Sequence, residues 1–139
     1  PCNQGGSLMN EIAGKAVTAE EALTSEFKEY GHQIIKNAKA MANEFIKLGF
    51  KLVTDGTDNH LILLDLTDIG ISGKQVQDEL DKHGITLNKN MIPNDTRSPA
   101  QTSGVRIGVP AQTTKGWKED DFIKCADKIA EIIRDMKTE

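Results

Sequence analysis

A single arginine stands inside the short apolar run Gly104-Val105-Arg106-Ile107-Gly108-Val109. Read as a β-strand, the run sends Val105, Ile107 and Val109 to one face and Gly104, Arg106 and Gly108 to the other. A guanidinium between two residues that lack a Cβ is open to close approach by a small ligand. Its planar fork matches both oxygens of a carboxylate. The chemistry this predicts is recognition of an amino acid or keto acid by its acidic end. The same pattern also fits an edge-strand arginine paired with a nearby aspartate or extended into water.

Three further groups fall where loops are expected. Gly5-Gly6 exposes backbone N–H groups of the kind that bind phosphate. Asn88-Lys89-Asn90, with Pro93-Asn94-Asp95 after it, carries amides able to pair with the edge of a heterocycle, and equally able to form turns. Thr57-Asp58-Asn59-His60 either faces a ligand or closes a hydrogen-bonded turn. His32, His60 and His83 have no ligand spacing with one another or with a cysteine, so no metal site is expected. No nucleophile elbow and no Walker-type glycine loop is present.

The composition narrows the class. The 139 residues carry a net charge of -4, and 37% are hydrophobic, which fits one soluble core. Basic and acidic residues alternate without the clustered cations that nucleic acid requires, so no nucleic-acid partner is expected. Nothing approaches the ~20 apolar residues of a membrane span, and the N-terminus lacks a signal-peptide pattern. The cytoplasm is the simplest compartment. Cys2 and Cys125 lie far apart, and Cys125 falls among helical core positions, so a disulfide framework is not expected.

The elements that must position these groups follow from periodicity. Leu8, Ile12, Ala16, Ala19 and Leu23 form one helical stripe, with Gly14 a weak point and Thr18–Glu21 a capping box able to restart the helix. A longer helix over 25–48 carries Ile34, Ala38, Met41, Ala42, Phe45 and Leu48 on one face and stops at Gly49. Strands are predicted at 50–53, 61–66 and 85–87. The run Leu61-Ile62-Leu63-Leu64 reads as a strand covered on both faces. A helix over 72–83 opens on a Ser72/Gln75 capping box and ends at Gly84. Residues 91–103 form a loop long enough for function. A last helix after Trp117 buries Phe122, Ala126, Ile129, Ala130, Ile133 and Met136. The architecture is α+β: two helices, then a small sheet backed by helices on one face. The division expected is an N-terminal part over 1–48, packing on a larger domain, and a small C-terminal domain over 49–139.

Taken in order, Gln4-Gly5-Gly6, Lys36-Asn37-Ala38-Lys39-Ala40, Gly56-Thr57-Asp58-Asn59-His60-Leu61, Asn88-Lys89-Asn90, Pro93-Asn94-Asp95 and Ser103-Gly104-Val105-Arg106-Ile107-Gly108 resemble serine hydroxymethyltransferase across essentially the whole chain. The resemblance is to the C-terminal part of that enzyme, beyond the segment with its pyridoxal-phosphate lysine, and the polar start at Pro1 reads as the cut end of something longer. It implies the small domain of a fold-type I pyridoxal-phosphate enzyme. Such an enzyme is a homodimer or homotetramer that interconverts serine and glycine, with tetrahydrofolate as one-carbon carrier. Arg106 resembles the arginine that binds the substrate carboxylate. Asn90 resembles the asparagine that bonds the pteridine, and Ser98, Pro99 and Ala100 occupy the segment lining the folate site. Gly5 and Gly6 match the glycine pair that approaches the cofactor phosphate. The catalytic lysine is not among these residues, so the piece alone is expected to be inactive. Where the family usually has Pro-Gly before Gln-Gly-Gly, then Pro and a nearby His, this chain has Cys2, Ser7 and Asn10. Residue 100, commonly aromatic, is Ala, and losing a ring contact costs folate about 1 kcal/mol or more. A free-standing binding module derived from the same scaffold is the alternative. Another fold-type I enzyme, such as an aminotransferase, also carries a carboxylate arginine, but lacks the Asn88-Lys89-Asn90 and Thr57-Asp58-Asn59-His60 signatures.

Overall fold

A computed structural model describes residues 5–137. They form two compact units, one ending at His32 and one beginning at Gln33. In chain order the elements are α1 (Met9–Ala22), α2 (Ser25–Lys47), β1 (Lys51–Leu52), β2 (Leu61–Asp65), α3 (Gly73–Lys82), β3 (Asn88–Asn90), β4 (Gly104–Gly108), α4 (Pro110–Thr114) and α5 (Glu119–Asp135). The chain is therefore α+β, with two leading helices, a small sheet and further helices.

In the first unit, α1 runs unbroken through Gly14 and Thr18, whose hydroxyl donates back to the Gly14 carbonyl. The expected restart at Thr18 does not occur. The chain breaks at Leu23 instead, and the Thr24 hydroxyl accepts from Phe27 N–H to open α2. No residue of α1 is buried.

In the second unit the four strands lie in the order β1-β2-β4-β3, antiparallel throughout. Ile62, Leu64, Val105 and Ile107 bury one face of the sheet in a core shared with Ala38, Met41, Ala42 and Phe45 of α2, Val76 and Leu80 of α3, and Phe122, Ala126, Ile129, Ala130 and Ile133 of α5. Each large side chain removed from water here contributes about 1.5–3 kcal/mol. In this unit the helix stripes read from sequence are the buried ones, with Ile34, Leu48 and Met136 at the core's margin, whereas the stripe read for α1 is exposed throughout. Gly49 and Gly84 end α2 and α3 at φ +83° and +72°, a backbone region that other residues enter with strain. Ser72 and Gln75 form the expected capping box.

Two strand assignments need correction. Residues 85–87 form no strand, and Asn88-Lys89-Asn90, read as a turn, is β3. Pairing with β4 supplies ladder bonds that outweigh asparagine's turn preference, while each amide bonds the next carbonyl, Asn88 to Lys89 and Asn90 to Met91. The short α4, opened by Pro110, was not foreseen. No helix among the described residues is long and apolar enough to cross a membrane.

Candidate functional site

β4 is an interior strand, and Arg106 sits at its centre, opposite Leu63 of β2 and Asn88 of β3. Its neighbours Val105 and Ile107 point into the core, so Arg106 is on the outer face and exposed. Leu61 and Leu63 share that face and are half-buried, so the second face of β2, expected to be covered, is the floor of an open groove within the second unit. The groove measures ≈ 340 Å³, and Thr54, Thr57, Asp58, Asn59, Leu63 and Arg106 are among its lining residues. The Thr57–Asn59 segment is a closed turn as well as a wall: Thr57 Oγ1 donates to the Leu61 carbonyl at 2.6 Å, and Asn59 Oδ1 accepts from Leu61 N–H at 2.8 Å.

Arg106 makes no ion pair among the described residues. Its Nε donates to Asn88 Oδ1 at 3.2 Å, and its two terminal nitrogens make no hydrogen bond there. The charge is thus available to an incoming anion. Of the two flanking glycines, Gly108 meets the expectation of open backbone, since a Cβ there would come no closer than 3.5 Å to Leu61. Gly104 does not. A Cβ at that position would lie 2.7 Å from Ile92 Cγ2 and 2.8 Å from the Leu64 carbonyl, so its missing side chain admits the loop that precedes β4, not a ligand.

Asn90 pairs with Gly104, two residues along β3 from Asn88 and on the same face as Arg106. The loop after it is tied by Asp95. That carboxylate accepts from Ser103 Oγ at 2.6 Å and from the backbone N–H groups of Ser103 and Arg97 at 2.8 and 2.9 Å. The Ser103 hydroxyl, with backbone N–H groups, outweighs desolvation and lowers its pKa to about 2. Ser98, Pro99 and Ala100 form the exposed crest, where the Ser98 carbonyl accepts from Gln101 and Thr102 N–H at 2.9 Å each. The loop's end docks on the start of α3, whose Gly73 and Lys74 N–H groups bond the Thr102 and Gln101 carbonyls. Gly73 has to be bare, because a Cβ there would lie 2.2 Å from the Gly104 carbonyl.

Asn37 is a residue whose part sequence reading missed, although it lies within a quoted motif. Fully buried, it accepts from Gln33 Nε2 at 2.8 Å and donates to Thr113 Oγ1 at 2.9 Å and to the Trp117 carbonyl at 3.0 Å. Thr113 Oγ1 donates in turn to the Val109 carbonyl at the end of the arginine's strand. A lone polar residue on an apolar helix stripe is the signal that marks such a knot.

Gly5 and Gly6 belong to the first unit. Both are exposed, a Cβ at either would meet nothing within 4 Å, and they line a ≈ 350 Å³ groove with Leu8, Glu11 and Lys15. Gln4 and Cys2 lie outside the described residues.

The second unit is a small antiparallel α+β domain that presents a guanidinium to a surface groove. Over residues 1–129 the chain matches the family model for serine hydroxymethyltransferase, and it belongs to that family. The family comprises pyridoxal-phosphate-dependent transferases of one-carbon metabolism acting on serine and glycine.

Proposed function

We propose that this chain supplies the substrate-carboxylate site and part of the folate site of a serine hydroxymethyltransferase, in which serine and glycine are interconverted as a one-carbon unit passes to or from tetrahydrofolate. The observation that carries this reading is Arg106, an arginine with no acid partner among the described residues, beside a groove large enough for an amino acid. Two parallel charge-assisted hydrogen bonds from its terminal nitrogens would fix the plane of the substrate's acidic end, and with it the direction of the bond to be broken. Pyridoxal phosphate, when bound, supplies the electron sink for that bond. The open backbone of Gly5 and Gly6, with Lys15 close by, suits its phosphate.

Asn90 would bond the pteridine from the same sheet face as Arg106, with Ser98, Pro99 and Ala100 lining the folate's approach on the loop tied by Asp95. With Ala100 small and exposed, carboxylate recognition carries more of the binding than ring contact with folate. The active form is a homodimer or homotetramer. These 139 residues alone are expected to catalyse nothing, since the resemblance places the cofactor's lysine outside them.

The test is Arg106→Lys in the full-length enzyme. An ammonium cannot reproduce the fork, so serine binding should weaken by roughly 30–150-fold, or about 2–3 kcal/mol. Unchanged serine affinity would reject the assignment.

A further inference from the structure

We propose that Asn88 is a positioning residue that holds Arg106 for its ligand without cancelling its charge; this rests on the reading of Arg106 as the carboxylate site. The two residues are direct cross-strand partners, and Arg106 Nε donates to Asn88 Oδ1 at 3.2 Å. An exposed arginine samples many rotamers, and a productive fork requires one of them. Bonding through Nε restrains the guanidinium at the nitrogen a bidentate ligand on the two terminal nitrogens does not use, and leaves their four N–H groups free.

One further bond fixes the amide itself, and another anchors its strand. Asn88 Nδ2 donates to the Lys89 carbonyl at 3.0 Å, so the oxygen and not the nitrogen faces the arginine. On the other edge of β3, Lys89 N–H donates to Gln77 Oε1 at 2.9 Å, which anchors that strand to α3. The orienting chain therefore runs from α3 through β3 to the guanidinium. Asparagine suits the task because its acceptor is neutral. A carboxylate in its place would hold the same nitrogen but offset the charge that draws the ligand.

The experiment uses the full-length enzyme with its cofactor and measures serine and serinamide, which lacks the carboxylate, by KM and kcat. Asn88→Ala should raise the KM for serine about tenfold, the equivalent of one lost charged hydrogen bond. It should leave kcat within about twofold and barely move the serinamide KM. Asn88→Asp, which keeps the size and the acceptor, should raise the serine KM at least as far. On an Arg106→Lys background, Asn88→Ala should add less than about twofold, because the group it orients is gone. An unchanged serine KM in Asn88→Ala, with Arg106→Lys impaired, overturns the proposal and spares the reading of Arg106. Equal losses for serine and serinamide, or recovery of wild-type KM in Asn88→Asp, overturn it as well. If Arg106→Lys itself binds serine normally, both readings fall. Should Asn88→Ala not fold, the Asp variant and its serinamide control decide alone.

Discussion

Asp95 holds Ser103 by both ends, accepting its hydroxyl at 2.6 Å and its backbone N–H at 2.8 Å, and so closes the loop that leads into the arginine's strand. The bonds favour the ionised carboxylate, and its pKa in the fold, about 2, lies below the ~3.9 of an unfolded aspartate. Its contribution to stability is therefore complete above pH ~4 and is lost as pH falls toward about 2. Hydrogen exchange should show Ser103 N–H protected at pH 5 and released only as pH falls to about 2. Asp95→Asn should show the released state at pH 5 with the core intact. A carboxyl resonance of Asp95 that titrates near pH 4 would contradict the account.

Asn37→Ala should cost about 2–4 kcal/mol, because it removes three hydrogen bonds from a fully buried position and takes the Asn37 donor from the Trp117 carbonyl, while Gln33 keeps Glu119 and Thr113 keeps the Val109 carbonyl. Urea unfolding measures this directly. A loss below about 0.5 kcal/mol would show that water takes over the site.

The two glycines beside Arg106 should respond in opposite ways. Gly104→Ala forces a Cβ against the Leu64 carbonyl and Ile92, and should destabilise by about 1–3 kcal/mol. Gly108→Ala meets only ordinary contact and should be neutral, or stabilising by up to about 1 kcal/mol. Thermal unfolding of the pair checks both signs.

The chain should self-associate through its first helices. Leu8, Met9, Ile12 and Leu23 are 58, 69, 49 and 88% exposed, an apolar stripe that water disfavours. Sedimentation should show a species larger than a monomer, and Ile12→Glu with Leu23→Glu should dissociate it. A monomer at high concentration in the unaltered chain would refute this.

The helices were legible because their apolar spacing, caps and glycine stops all agree: Ser72 with Gln75, Gly49, Gly84, and the α5 stripe are each local signals with a single meaning. Arg106's place on the outer face followed from alternation alone. β3 was hidden because three polar residues, Asn88, Lys89 and Asn90, become a strand through a partner fifteen or so positions away, which local propensity does not register. Gly104 was misread for a related reason. A glycine required by a close-packed neighbour and one left open for a ligand look the same until Ile92 is placed beside it.

β4 has neighbours on both sides: β2 along its whole length, and β3 along its first three residues. Fraying begins at a sheet's outer strands, here the two-residue β1 and the three-residue β3, and can run its course while the middle stays zipped. β4 therefore stays zipped to β2 when β3 opens, but the Arg106–Asn88 bond leaves with β3, so the guanidinium loses its set direction before the domain melts.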